Sequence, residues 1–133
     1  MSPIFLDTVG LIALWDASDQ WHSAAEGAYR DARKARREFC TTSFVMLECG
    51  NSASRRPYRG RVVQTLRQLT ADGALHFPTD DDWRDGWLDY EAGRAGDASI
   101  VDCISFAVMR RLGITEVFTN DQHFTAAGFT TLF

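Results

Sequence analysis

Two hydrophobic rhythms alternate along this chain. Short apolar or β-branched runs at Pro3-Ile4-Phe5-Leu6-Asp7, Phe39-Cys40-Thr41, Ala74-Leu75-His76-Phe77, Val117-Phe118-Thr119 and Thr130-Thr131-Leu132 read as strands, the first of them buried. Between them apolar residues recur at helical spacing. Val9, Ile12 and Ala13 do so from Thr8 to about Trp15, and Val62, Val63, Leu66 and Leu69 form one stripe between Tyr58 and Thr70. Capping signals bound the other helices. Ser18 or Asp19 caps a segment running to about Arg37, and Ser43 caps one through Asn51 or a little beyond. Thr79 followed by Asp80-Asp81-Asp82 makes a cap and a first turn favoured by the helix dipole, opening a helix through Trp83, Trp87 and Tyr90 toward Gly93. Ser99 to Leu112 is the most apolar helical segment, ended by Gly113 in the usual post-helix position.

This alternation predicts an α/β fold with a largely parallel sheet and helices on both faces. No repeat, linker or low-complexity tract interrupts the pattern, so residues 1–133 read as one domain, with 45% hydrophobic residues to fill its core. Ligands of such sheets bind beyond the carboxyl ends of the strands, at the point where strand order reverses.

Composition narrows the setting. The apolar runs are too short and too often broken by charge to span a membrane. The N-terminus lacks the basic and extended apolar regions of a secretory signal. Cys40, Cys49 and Cys103 are odd in number and form no C-x-x-C pair, which points to a reducing cytoplasm rather than to disulfides or zinc. A net charge of −4 runs against polyanion binding, but the charge is segregated. Arg30, Arg33, Lys34, Arg36 and Arg37 form one basic cluster, and Arg55, Arg56, Arg59 and Arg61 another. Solvated helix faces account for such clusters as readily as a nucleic-acid contact does.

The chemistry rests on four carboxylates. Asp7 closes the first strand, Glu48 interrupts the apolar stretch Phe44-Val45-Met46-Leu47, Asp102 stands near the start of the apolar helix, and Asp121 follows the strand Val117-Phe118-Thr119. Each has a plainer explanation alone. Asp7 and Asp102 have helix-capping positions, Glu48 fits the polar face of an amphipathic helix, and Asp121 fits a turn. Converging, they repel one another unless a divalent cation neutralises them. Oxygen-only ligands suit Mg²⁺ or Mn²⁺, and such a site reads as metal-assisted phosphodiester hydrolysis. Asp97 is a loop acid or a supporting ligand. His22, His76 and His123 show no ligand spacing and read as surface or packing residues, although His123 lies close to Asp121 in sequence. Phosphate-loop, dinucleotide and nucleophile-elbow motifs are missing.

At these residues the chain resembles the PIN-domain family, and within it the VapC-type toxin ribonucleases of toxin–antitoxin pairs. The resemblance runs through Ile4-Phe5-Leu6-Asp7-Thr8, Thr41-Thr42-Ser43-Phe44-Val45-Met46-Leu47-Glu48, the segment from Asp97 through Asp102 to Met109, and Phe118-Thr119-Asn120-Asp121-Gln122-His123-Phe124 with Ala127-Gly128-Phe129. It implies a three-layer α/β/α sandwich around a mostly parallel sheet of about five strands. It also implies an acidic Mg²⁺ or Mn²⁺ site of Asp7, Glu48, Asp102 and Asp121, with Asp97 in support. An RNA substrate, a small antitoxin partner and a homodimer that aligns two sites follow from the same resemblance. Val9 departs from the family pattern, where Ser or Asn often helps to hold the site.

Two other readings compete. A catalytically silent RNA-binding or scaffold domain keeps the same fold. A phosphotransfer domain also places an aspartate after its first strand, but one kind needs a second aspartate where Val9 stands. The other needs an acidic pair and a late lysine, whereas Lys34 is the only lysine.

Overall fold

The computed structural model describes residues 1–133. Five strands, β1 (Ile4–Leu6), β2 (Phe39–Thr42), β3 (Leu75–His76), β4 (Glu116–Phe118) and β5 (Thr130–Thr131), form one sheet. Their order is β3-β2-β1-β4-β5 and every pairing is parallel. Strand order therefore reverses between β1 and β4, the strands whose ends carry Asp7 and lead into Asp121.

Seven helices cover the sheet: α1 (Thr8–Trp15), α2 (His22–Lys34), α3 (Ser43–Ala53), α4 (Arg59–Ala71), α5 (Asp80–Ala92), α6 (Ile100–Leu112) and α7 (Gln122–Ala126). The first four pack against one another on one face and the last three on the other, as right-handed crossovers require when the chain reverses direction after β3. Ile4, Phe5, Val117 and Phe118 are fully buried, because a sheet covered on both faces leaves its central strands no polar side.

The expected caps hold at Thr79, which forms a reciprocal capping box with Asp82, and at Ser99. Gly93 and Gly113 end α5 and α6 in the left-handed conformation. Asp82 also accepts from Arg111, and Asp89 from Arg94 and Arg110, so the acidic stretch clamps α5 onto α6.

Three helix boundaries differ from the sequence reading. Thr42, not Ser43, caps α3, its hydroxyl accepting from the Val45 N–H at 3.2 Å. The second helix starts at His22, because the Asp16 and Asp19 side chains bind the N–H groups of Ser18 and Trp21 and hold that stretch in turns. It ends at Lys34, since Arg36 takes a left-handed φ of 55°. The short helix α7 carries no periodic signal long enough to read from sequence; it exists because Asp121 caps it and Phe124 anchors it in the core. No helix is long and apolar enough to cross a membrane.

Candidate active site

Asp7 lies where β1 passes into α1. As the helix cap it accepts from the Val9 N–H at 3.3 Å, and its Oδ2 also accepts from the Thr119 hydroxyl at 2.8 Å. That second bond spans the switch point, joining the end of β1 to the end of β4. The carboxyl is buried, and burial together with the Asp102 and Asp121 carboxylates pushes its pKa up to about 8.

Asp102 stands in the first turn of α6, its N–H held by the Ser99 hydroxyl at 3.1 Å. Its pKa is pushed up to about 6 by burial and by the carboxylates of Asp121 and Glu48. Glu48, on α3, accepts from the Thr8 hydroxyl at 2.6 Å. Asp121 caps α7 and is fixed by the His123 N–H at 2.9 Å and by the His123 ring Nδ1 at 2.6 Å. The four elements β1, α3, α6 and the β4–α7 turn thus bring Asp7, Glu48, Asp102 and Asp121 to one sheet edge, close enough to perturb one another.

The remaining ring nitrogen of His123, Nε2, lies 2.6 Å from Asp97 Oδ1. Hydrogen bonds to Asp97 and Asp121 raise the His123 pKa, and the histidine in turn holds Asp97 low. Asp97 itself is almost wholly exposed, so it sits at the rim, tied to the carboxylates only through His123. Candidate ligand atoms of Asp102, Asp121 and His123 all lie within 4.8 Å of one another. Both ring nitrogens of His123 are engaged, so it bridges two acids rather than offering a free ligand.

Three residues in this network had no role in the sequence reading: Thr8, Thr119 and His123. The signal was present, since Thr8 follows Asp7 and the other two stand two residues either side of Asp121, but only the fold shows whom they touch. The departure at Val9 loses its force. The Val9 side chain is exposed while its N–H serves Asp7, and the hydroxyls come from Thr8 and Thr119. The cysteines are packing residues: burial pushes the Cys40 and Cys49 thiols up to about 12 and raises that of Cys103.

The PIN-domain family matches residues 4–130. This chain belongs to the PIN-domain family. Two curated relatives, each a 23S rRNA-specific endonuclease VapC20 from a strain of Mycobacterium tuberculosis, are 30% identical to it over 127 residues, 95% of either chain. A crystal structure of M. tuberculosis VapC20, described as a sarcin-ricin loop cleaving toxin, superposes with a TM-score of 0.78 at 27% identity, covering 96% of each chain. The likeness is to VapC-type PIN toxins, and it extends over almost the whole PIN domain seen here.

Proposed function

We propose that this PIN domain is a Mg²⁺- or Mn²⁺-dependent endoribonuclease and the toxin of a toxin–antitoxin pair. The observation that carries this is Asp7, a buried carboxyl facing Asp102 and Asp121 across the switch point of the sheet. A purely structural site has no reason to assemble like charges where burial already penalises each one. The donor set suits a hard divalent cation, because every free candidate ligand is a carboxylate oxygen.

Asp7, Glu48, Asp102 and Asp121 would hold the ion, with Asp97 acting from the rim through His123. When bound, Mg²⁺ or Mn²⁺ supplies charge neutralisation and Lewis-acid polarisation of the phosphodiester. Thr119 and the Val9 N–H fix the Asp7 carboxylate, Thr8 fixes Glu48, and His123 fixes Asp121. These bonds orient the ligands before substrate arrives, as the groups behind metal ligands do elsewhere. Water as nucleophile leaves a 5′-phosphate and a 3′-hydroxyl and does not require the ribose 2′-OH. The names of the relatives make a large-subunit rRNA hairpin the first substrate to try.

With purified protein, that hairpin should be cut in Mg²⁺ or Mn²⁺, spared in chelator, and spared by Asp102→Asn. Cutting that persists in chelator, or 2′,3′-cyclic phosphate ends, would overturn this mechanism. A folded wild type that binds the RNA and never cuts it would favour the silent RNA-binding module.

The proposal includes a homodimer and an antitoxin. Phe44, Trp83, Trp87 and Tyr90 form a continuous edge-to-face ladder with centroid spacings of 6.2, 5.9 and 5.4 Å across α3 and α5. Leu47, Phe77 and Leu88 are exposed as well, so the surface is apolar far beyond an isolated side chain. A second copy is the proposed occupant: Leu47 precedes Glu48 on α3, so pairing there sets two acidic sites beside one groove. Light scattering should show a dimer for the wild type and a monomer for Trp83→Ser/Trp87→Ser; a monomeric wild type at tens of micromolar sinks it. An antitoxin encoded beside the gene should bind and silence the nuclease, an arginine among the carboxylates being one physical route.

A further inference from the structure

The basic residues divide sharply by partner. Arg37, Arg84, Arg94, Arg110 and Arg111 are each ion-paired to a carboxylate. All the others belong to α2, the turn after it, or the stretch from Arg55 to Arg67 that ends α3 and forms α4, on the face of the sheet opposite α5 and α6. Between α2 and α4 opens a cavity of about 920 Å³. Arg33, Arg36 and Arg37 line one wall, and Arg61, Gln64 and Thr65 the other. Arg37 is committed to Glu116 at 2.6 Å and to the Ser2 carbonyl, which leaves Arg33, Arg36 and Arg61 as the free cations. Glu38 and Asp72 share the rim, so the individual guanidiniums, rather than a uniform field, define any anion path.

Arg36 adds a second observation. Its φ of 55° places it in the left-handed region at the end of α2, where glycine is the ordinary choice. A non-glycine residue there costs roughly 1–2 kcal/mol, and no ion pair in the fold repays it. Backbone strain of this kind collects at binding sites.

We propose that this cavity and its free arginines hold the phosphodiester backbone of the RNA substrate, away from the scissile bond. The inference rests on the ribonuclease reading and extends it. A chain of net charge −4 with a carboxylate cluster at its catalytic edge repels a polyanion, so affinity has to come from a separate basic surface. Guanidiniums suit that task, because their planar forks donate in pairs to phosphate oxygens. An acidic protein segment is the competing occupant. The RNA is favoured because unpaired basic residues continue past the cavity through Arg55, Arg56 and Arg59, a track suited to a backbone of regularly spaced charges. Trp15 and Tyr58, which the sequence offered as stacking platforms beside these clusters, are buried against each other and belong to the core.

The test is fluorescence anisotropy of a labelled RNA hairpin in the uncut Asp102→Asn background, over a salt series. Arg33→Ser/Arg36→Ser/Arg61→Ser should weaken binding by about 10- to 100-fold and lower the slope of log K against log salt by about 2–3, at roughly 0.9 per phosphate lost. The matching triple lysine variant should keep most of the slope. Unchanged affinity and slope in a serine variant that keeps its circular dichroism and melting temperature would overturn the proposal, even while wild type cleaves RNA. So would loss of antitoxin binding with RNA affinity intact, which assigns the cavity to the protein partner. A wild type that neither binds nor cuts RNA would instead overturn the ribonuclease reading.

Discussion

Asp7→Asn is expected to abolish RNA cleavage and to stabilise the metal-free protein. Both follow from one property of the site. Asn keeps the shape, caps a helix as well as Asp does, and still accepts a hydrogen bond from Thr119. It removes only the charge. Activity should fall by at least about 10²- to 10³-fold, since even residues behind metal ligands are typically worth 10- to 100-fold. The stability gain follows from linkage. The Asp7 pKa of about 8 in the fold lies above its ordinary value of 3.8, so the folded state holds a proton that the unfolded chain releases. The stability this lends is complete below pH 3.8, shrinks as pH rises, and is gone once pH passes about 8. Wild-type protein in chelator should therefore melt lower at pH 8 than at pH 5.5, and Asp7→Asn should flatten that decline. At pH 8 the variant should gain about 1–2 kcal/mol or more, given 1.36 kcal/mol per pKa unit, which is a rise of several degrees. Mg²⁺ should raise the wild-type melting temperature and leave the variant nearly unmoved. Full cleavage by Asp7→Asn removes Asp7 from the site; a lower melting temperature in chelator shows that its charge is a stabilising one.

The second large effect lies in packing. Gly10→Ala should lower the melting temperature by about 10 °C and impair the site with it. A methyl at Gly10 would stand 2.0 Å from the Phe118 carbonyl oxygen and 2.7 Å from its carbon, distances that no rotamer relieves because both atoms are backbone. Either α1 or β4 has to move. Overpacking typically costs about 1–3 kcal/mol, and a backbone clash belongs at the upper end or beyond. The shift is felt in the chemistry because α1 begins at Asp7 and β4 leads to Thr119, the two ends of one hydrogen bond. Gly27→Ala is the control. It lies within α2 with only the tip of Arg30 near, at 3.7 Å, and should be neutral or stabilising by up to about 1 kcal/mol. Equal melting temperatures for Gly10→Ala and wild type would show that α1 is not locked to β4 at this point.

How much was legible follows the same division. Every strand announced itself, because a strand buried on both faces needs a short apolar run and nothing else matches that demand. The caps at Thr79 and Ser99 were legible because capping is local: donor and acceptor lie within one turn. The start of α2 was misread, since Asp16 and Asp19 spend their side chains on turns that compete with a cap. Helix α7 was missed, being too short to show a period and stabilised by the burial of Phe124. Among the acids, the positions of Asp7, Glu48, Asp102 and Asp121 at strand and helix ends were plain, whereas the roles of Thr8, Thr119 and His123 were hidden. A threonine beside an aspartate carries no mark of which carboxylate it will bind. His123 read as an ordinary surface residue because its spacing to Asp97 in the chain says nothing of the 2.6 Å between them.

By itself, then, the sequence determined the alternation of strands and helices, the parallel sheet that alternation requires, and the placing of four carboxylates at element ends. All of these are set by local periodicity and capping, which a linear chain carries in full. Tertiary structure alone decided that the acids converge and perturb one another, that hydroxyls from Thr8 and Thr119 orient them, and that the unpaired arginines gather around one cavity. Those properties depend on distances between residues as far apart as Asp7 and Thr119, and such distances exist only once strand order brings β1 and β4 side by side.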